Sequence, residues 1–140
     1  MVGVVLKKRY LFLIIFIIAT VNAKEYAVVV QKGFANISVG KIKAIYLKKL
    51  KYLGDTKLVP INLGAQNSVR RSFEKKVLKI NHSRLKSYWI KQHYLGQRPP
   101  ITLKSQAAVN AFVKKVFGAI GYLEASKADK DLKIIYRWSD

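Results

Sequence analysis

Asn67, Ser68, Val69, Arg70 and Arg71 stand in a row where the chain passes from a turn into an apolar-periodic run, so three kinds of donor gather at one helix start. A helix N-terminus leaves backbone N–H groups without partners and carries a partial positive charge, which suits an anion. The Ser68 hydroxyl can add a donor, and Arg70 or Arg71 a two-pronged charge-assisted contact. The chemistry this predicts is oxyanion capture through these five residues. The same residues also read as an ordinary cap followed by a solvated basic face. Little else in the chain is equipped for chemistry. The two histidines, His82 and His93, are eleven positions apart, about 16 Å along one helix, which on that reading is too far to share a metal. The seven acids, Glu25, Asp55, Glu74, Glu124, Asp129, Asp131 and Asp140, form no recognisable general acid–base pair, and no Ser-His-Asp set is visible. With no cysteine in the sequence, thiolate metal sites, disulfides and Cys nucleophiles are excluded. The inventory argues against an enzyme and calls for no metal or cofactor.

The elements that must position these residues are legible in the apolar spacing. Glu25 to Val30 reads as a buried strand. Ser38 caps a helix whose apolar positions Ile42, Ile45, Tyr46, Leu50 and Leu53 run to a break at Gly54-Asp55. Lys57 to Leu63 is strand-like, but Pro60 has no N–H to give, so this strand should lie at an edge or stop pairing there. Val69, Phe73, Val77 and Ile80 make the stripe of a second helix, and Leu85, Tyr88 and Trp89 the aromatic face of a third that runs to Gly96, with Trp89 in the core. Pro99-Pro100 predicts an extended linker. Ser105 caps a fourth helix ending before Gly118, and Ala119 to Leu123 and Leu132 to Trp138 are two more strands around the polar segment Glu124 to Asp131. Strands separated by helical segments predict one α/β domain, a small mixed sheet covered by about four helices.

The N-terminus reads differently. Lys7, Lys8 and Arg9 precede an apolar run from Tyr10 to Val21, and Val21-Asn22-Ala23 places small residues where a signal peptidase reads. The run is shorter than the about 20 apolar residues a spanning helix needs. Residues 1–23 are therefore expected to be a cleaved secretory signal and residues 24–140 the folded domain. The whole chain carries 27 Lys plus Arg against 7 Asp plus Glu, a net charge of +20. The leader takes away three of the basic residues and no acid, which leaves +17 on the domain. Anions are the natural partners of such a surface. Its lysines are spread over all the helices and its aromatics fall on apolar stripes, so a stacking platform for nucleic acid is not expected.

The order Ile45-Tyr46-Leu47, Leu58-Val59-Pro60-Ile61-Asn62, Arg70-x-x-Phe73, Tyr88-Trp89, Gly96-x-x-Pro99-Pro100 and Phe117-Gly118-Ala119-Ile120-Gly121-Tyr122 resembles the substrate-binding proteins of phosphate ABC transporters, and in particular short single-lobe relatives. The resemblance runs from about Tyr26 to Leu123. It implies one lobe of a type II periplasmic binding protein fold, a periplasmic and non-enzymatic binding role, phosphate or a similar oxyanion as ligand, and an ABC transporter or another envelope protein as partner. It also implies that the binding helix starts at or beside Asn67, and that Lys48 stands where relatives commonly carry glycine. The alternative reading is a basic envelope protein that binds polyanions, or a protein partner, without a specific small ligand.

Overall fold

The computed structural model describes residues 23–140, so the leader expected over residues 1–23 lies outside the described residues except for Ala23. Seven strands and four α-helices follow in the order β1 (Glu25–Gln31), α1 (Val39–Tyr46), β2 (Tyr52–Leu53), β3 (Thr56–Lys57), β4 (Val59–Leu63), α2 (Ser68–Phe73), α3 (His82–Tyr94), β5 (Ile101–Leu103), α4 (Gln106–Lys115), β6 (Ala119–Glu124) and β7 (Leu132–Ser139). A π-turn, Glu74–Leu78, continues α2, and one turn of 3-10 helix, Ala125–Lys127, follows β6. The main sheet has the order β5-β4-β6-β1-β7, with β4 parallel to β5 and β6 and with β1 antiparallel to β6 and β7. β2 and β3 form a separate hairpin.

The sheet is covered on both faces. Successive residues of a strand point to opposite sides. Gly121 of β6 meets Val109 and Val113 of α4, so closely that a β-carbon there would lie 2.6 Å from Val109 Cγ1. The next residue, Tyr122, stacks on Phe73 of α2 with ring centroids 4.0 Å apart. Tyr46 of α1 closes that aromatic group from the side, 4.7 Å from Phe73. Thus α4 lies on one face and α1 and α2 on the other. α3 packs outside them through buried Leu85, and its Tyr88 hydroxyl donates to the Leu47 carbonyl at 2.7 Å.

Some expectations need correction. α1 ends at Tyr46 and does not run to Leu53, because Lys48 turns the chain into the left-handed region at φ +59 and the following N–H groups fold back on Ala44. Leu50 and Leu53 still reach the core, but from the segment and hairpin beyond. β4 is an interior strand, with β5 on one side and β6 on the other, and the other expectation for it, that pairing stops at Pro60, holds on the β6 side, where the ladder ends at Pro60–Ile120. Pro60 is accommodated because pairing with β5 begins one residue later, at Ile61. Trp89 is only half-buried, edge-on to Tyr88, and the expected linker after Pro100 pairs with β4 as strand β5.

Candidate functional site

β4 delivers the chain to α2 through Gly64-Ala65-Gln66, so the helix starts at the carboxyl end of a parallel strand. The next crossover, from β5 through α4, runs over the opposite face to β6, on the far side of β4. In open α/β sheets such a reversal of strand order leaves a crevice at the strand ends, where ligands bind. Here the strands also part. β4 and β6 pair at Val59–Ala119 and Pro60–Ile120, and beyond that two tyrosines supply the missing partners. The Tyr46 hydroxyl is shared between the Ile61 and Ile120 carbonyls at 2.9 and 3.0 Å. The Leu63 N–H donates to the Tyr122 hydroxyl at 3.2 Å, and that hydroxyl donates to Asn62 Oδ1. Burial raises the pKa of both phenols, so they stay neutral and keep the proton they donate.

The five residues singled out in the sequence gather at this end, with different employments. Asn67 caps α2, its Oδ1 accepting the Val69 N–H at 2.9 Å. Val69 itself is buried in the core. Ser68 opens the helix and is exposed. Arg70 turns inward: Nε donates to Glu74 Oε1 and a terminal nitrogen donates to the Leu63 carbonyl, both at 2.9 Å. Arg71 points along the surface and donates to Gln66 Oε1 at 2.8 Å. The donors left for a ligand are therefore the Ser68 hydroxyl, the first-turn N–H groups of Ser68 and Arg70, and the solvent-facing edge of Arg71.

Glu74 is the residue the sequence reading passed over. It is 5% exposed, and it accepts from Arg70 and lies 3.4 Å from His82 Nδ1. The four-residue spacing from Arg70 to Glu74 was the available signal. Two hollows meet beside this pair at Ala65 and His82. One, of about 690 Å³, is lined by Gln66, Arg71, Glu74 and Lys75; the other, of about 610 Å³, runs along α3 past Arg70, Trp89 and Tyr94. Ser68 borders neither. Both histidines lie on α3. Among the described residues no group of His, Asp or Glu is arranged to hold a metal ion.

No family model matches the sequence, and no curated protein does. Solved structures do match. The fold is that of one lobe of a periplasmic-binding-protein-type receptor, and the chain is similar to phosphate ABC transporter substrate-binding proteins. An ABC-type phosphate transport receptor from Vibrio cholerae superposes with a TM-score of 0.64 at 17% identity, over 81% of this chain and 46% of that one. A phosphate ABC transporter substrate-binding protein with bound phosphate, from Clostridium perfringens, gives 0.65 at 16% identity, over 81% and 45%. PstS from Borrelia burgdorferi gives 0.59 at 15% identity, over 81% and 47%. The chain thus spans about half the length of each of these receptors.

Proposed function

We propose that this chain is an exported, periplasmic, non-enzymatic binding protein that presents phosphate or a similar oxyanion at the start of α2 and serves an ABC transporter or another envelope component. The observation that carries the reading is the place of that start, at the carboxyl end of β4 where the strand order reverses. Ser68 and Arg71 are the contacts offered by side chains, with Asn67 holding the helix end open, Val69 anchoring it in the core and Arg70 fixing it to β4. The likeness to three phosphate-transport receptors supports the class of ligand and partner. Contacts from one lobe leave the ligand hydrated on its far side, where the dielectric stays high, so affinity is modest.

Calorimetric titration with phosphate and with sulfate tests the proposal. The expected result is saturable phosphate binding that weakens modestly with salt and drops at least five-fold in a Ser68→Ala, Arg71→Ala double substitution. Binding that survives that substitution unchanged, or no binding at all, overturns it. A steep salt dependence would instead mark the diffuse polyanion attraction of the alternative reading.

A further inference from the structure

The acids of the chain are spent unevenly. Glu25, Glu74, Glu124, Asp129 and Asp131 all sit in ion pairs, with Arg137, Arg70, Lys24, Lys127 or Lys114, and Asp140 is held by Ser72 and Tyr26. These contacts lie around α2, α4 and the β1–β6–β7 end of the sheet. Next to the hollow lined by Arg71 and Glu74, with which it shares Lys79 and Ile80, the last turn of α1 faces the end of the π-turn and the first turn of α3 across a hollow of about 340 Å³ bordered by Lys43, Lys49, Lys79 and Arg84. Among the described residues none of these four takes part in an ion pair, and no acid borders the hollow. Leu47, Ile80 and Tyr88 form its apolar floor.

Ordinary stabilisation does not account for this arrangement. Cations near the end of α1 complement its dipole, but Arg84 sits in the first turn of α3, where a positive charge is unfavourable and where no acid is present. Lys79 holds φ +53, a left-handed conformation that glycine adopts without strain. Next to the hollow, Lys48 at φ +59 repeats the pattern. Its ammonium pKa is pulled down by burial first and then by the like charges of Lys51 and Lys57, which with it border a separate hollow on the hairpin side.

We infer that this hollow is a second anion site, lined by none of the α2-start residues Asn67 to Arg71, which binds a compact, soluble polyphosphate anion. Four cations around one hollow exceed what a single phosphate group neutralises, and a short run of linked phosphates matches them in number. The Arg84 guanidinium offers a fork that fits phosphate oxygens, the three lysines act as mobile point charges, and the apolar floor strengthens both by excluding water from beneath.

Calorimetry of the full chain in a non-ionic detergent, with inorganic tripolyphosphate as the probe, tests this. Saturable one-site binding is expected. The triple substitution Lys43→Gln, Lys79→Gln, Arg84→Gln weakens it at least ten-fold, while Lys91→Gln, Lys104→Gln, Lys130→Gln, which removes the same charge elsewhere, changes it less than two-fold. Lys79→Gly serves as the variant whose folding is not in question. It relieves the left-handed strain, so its melting temperature rises by about 2 °C while its tripolyphosphate affinity falls several-fold. Equal losses in the two triple variants, unsaturable binding, or an unchanged affinity in Lys79→Gly would each overturn the inference. The Ser68→Ala, Arg71→Ala protein retains full tripolyphosphate binding, which keeps failure of this site distinct from failure of the α2 site.

Discussion

The carboxylate of Glu74 decides how the α2 start is built. Buried in the π-turn, it needs a cation, and Arg70 meets that need while tying the helix to the last carbonyl of β4. Arg70→Ala would leave a buried carboxylate without its partner and is expected to cost about 2–3 kcal/mol, measured by urea unfolding. Arg71→Ala, which removes only an exposed contact to Gln66, should fall within about 0.5 kcal/mol of the parent. Asp140 gives the pH dependence. Donation from Ser72, then from Tyr26, holds its carboxyl below the ordinary value. A depressed folded-state pKa contributes stability that is present above the unfolded value, about 3.9, and is lost as the pH falls through the folded one. The stability gap between the parent and Asp140→Asn is therefore widest near neutrality and closes below about pH 4. Tyr26 works at the other extreme: burial, and then Asp140, push its phenol up to about 12. Its contribution is complete below about pH 10 and is lost as the pH rises through the folded value.

At the scale of elements, the Gly118 to Tyr122 segment that carries the family resemblance is a packing device and not a ligand contact. Gly118 lies at φ +92, and a β-carbon there would be 2.2 Å from the Lys57 carbonyl oxygen, so the hairpin backbone can cross only at a glycine. Gly118→Ala is expected to destabilise by about 2–4 kcal/mol, read as a lowered thermal midpoint. Gly121 admits α4 on one face and Tyr122 fills the other. Most strands and helices could be read from the sequence because caps and apolar spacing are local signals. Ser38, Asn67 and Ser105 each accept a first-turn N–H as their residue types foretold. What was not legible depends on distant partners. The end of α1 turns on Lys48, a residue with no sequence mark for a left-handed conformation. Strand β5 exists because β4 is there to pair with it. The inward turn of Arg70 depends on the burial of Glu74, and the spacing alone could not tell that pair from a solvated one.

For the molecule as a whole, one lobe carries two candidate anion sites, at the start of α2 and at the hollow between α1, the π-turn and α3. The strand order has a further consequence. β1, from the beginning of the described chain, lies between β6 and β7, from its end, and Tyr26 reaches Asp140 across a sequence separation of 114. Before residues 119–139 exist, β1 has neither neighbour, and closing so long a loop precedes any reward from its ladder. Completion of the sheet around β1 is therefore late, which places this topology below all-helical domains in folding rate. Until both β6 and β7 have been made, a nascent chain of this topology carries β1 with at least one edge unpaired, open to pairing with another chain.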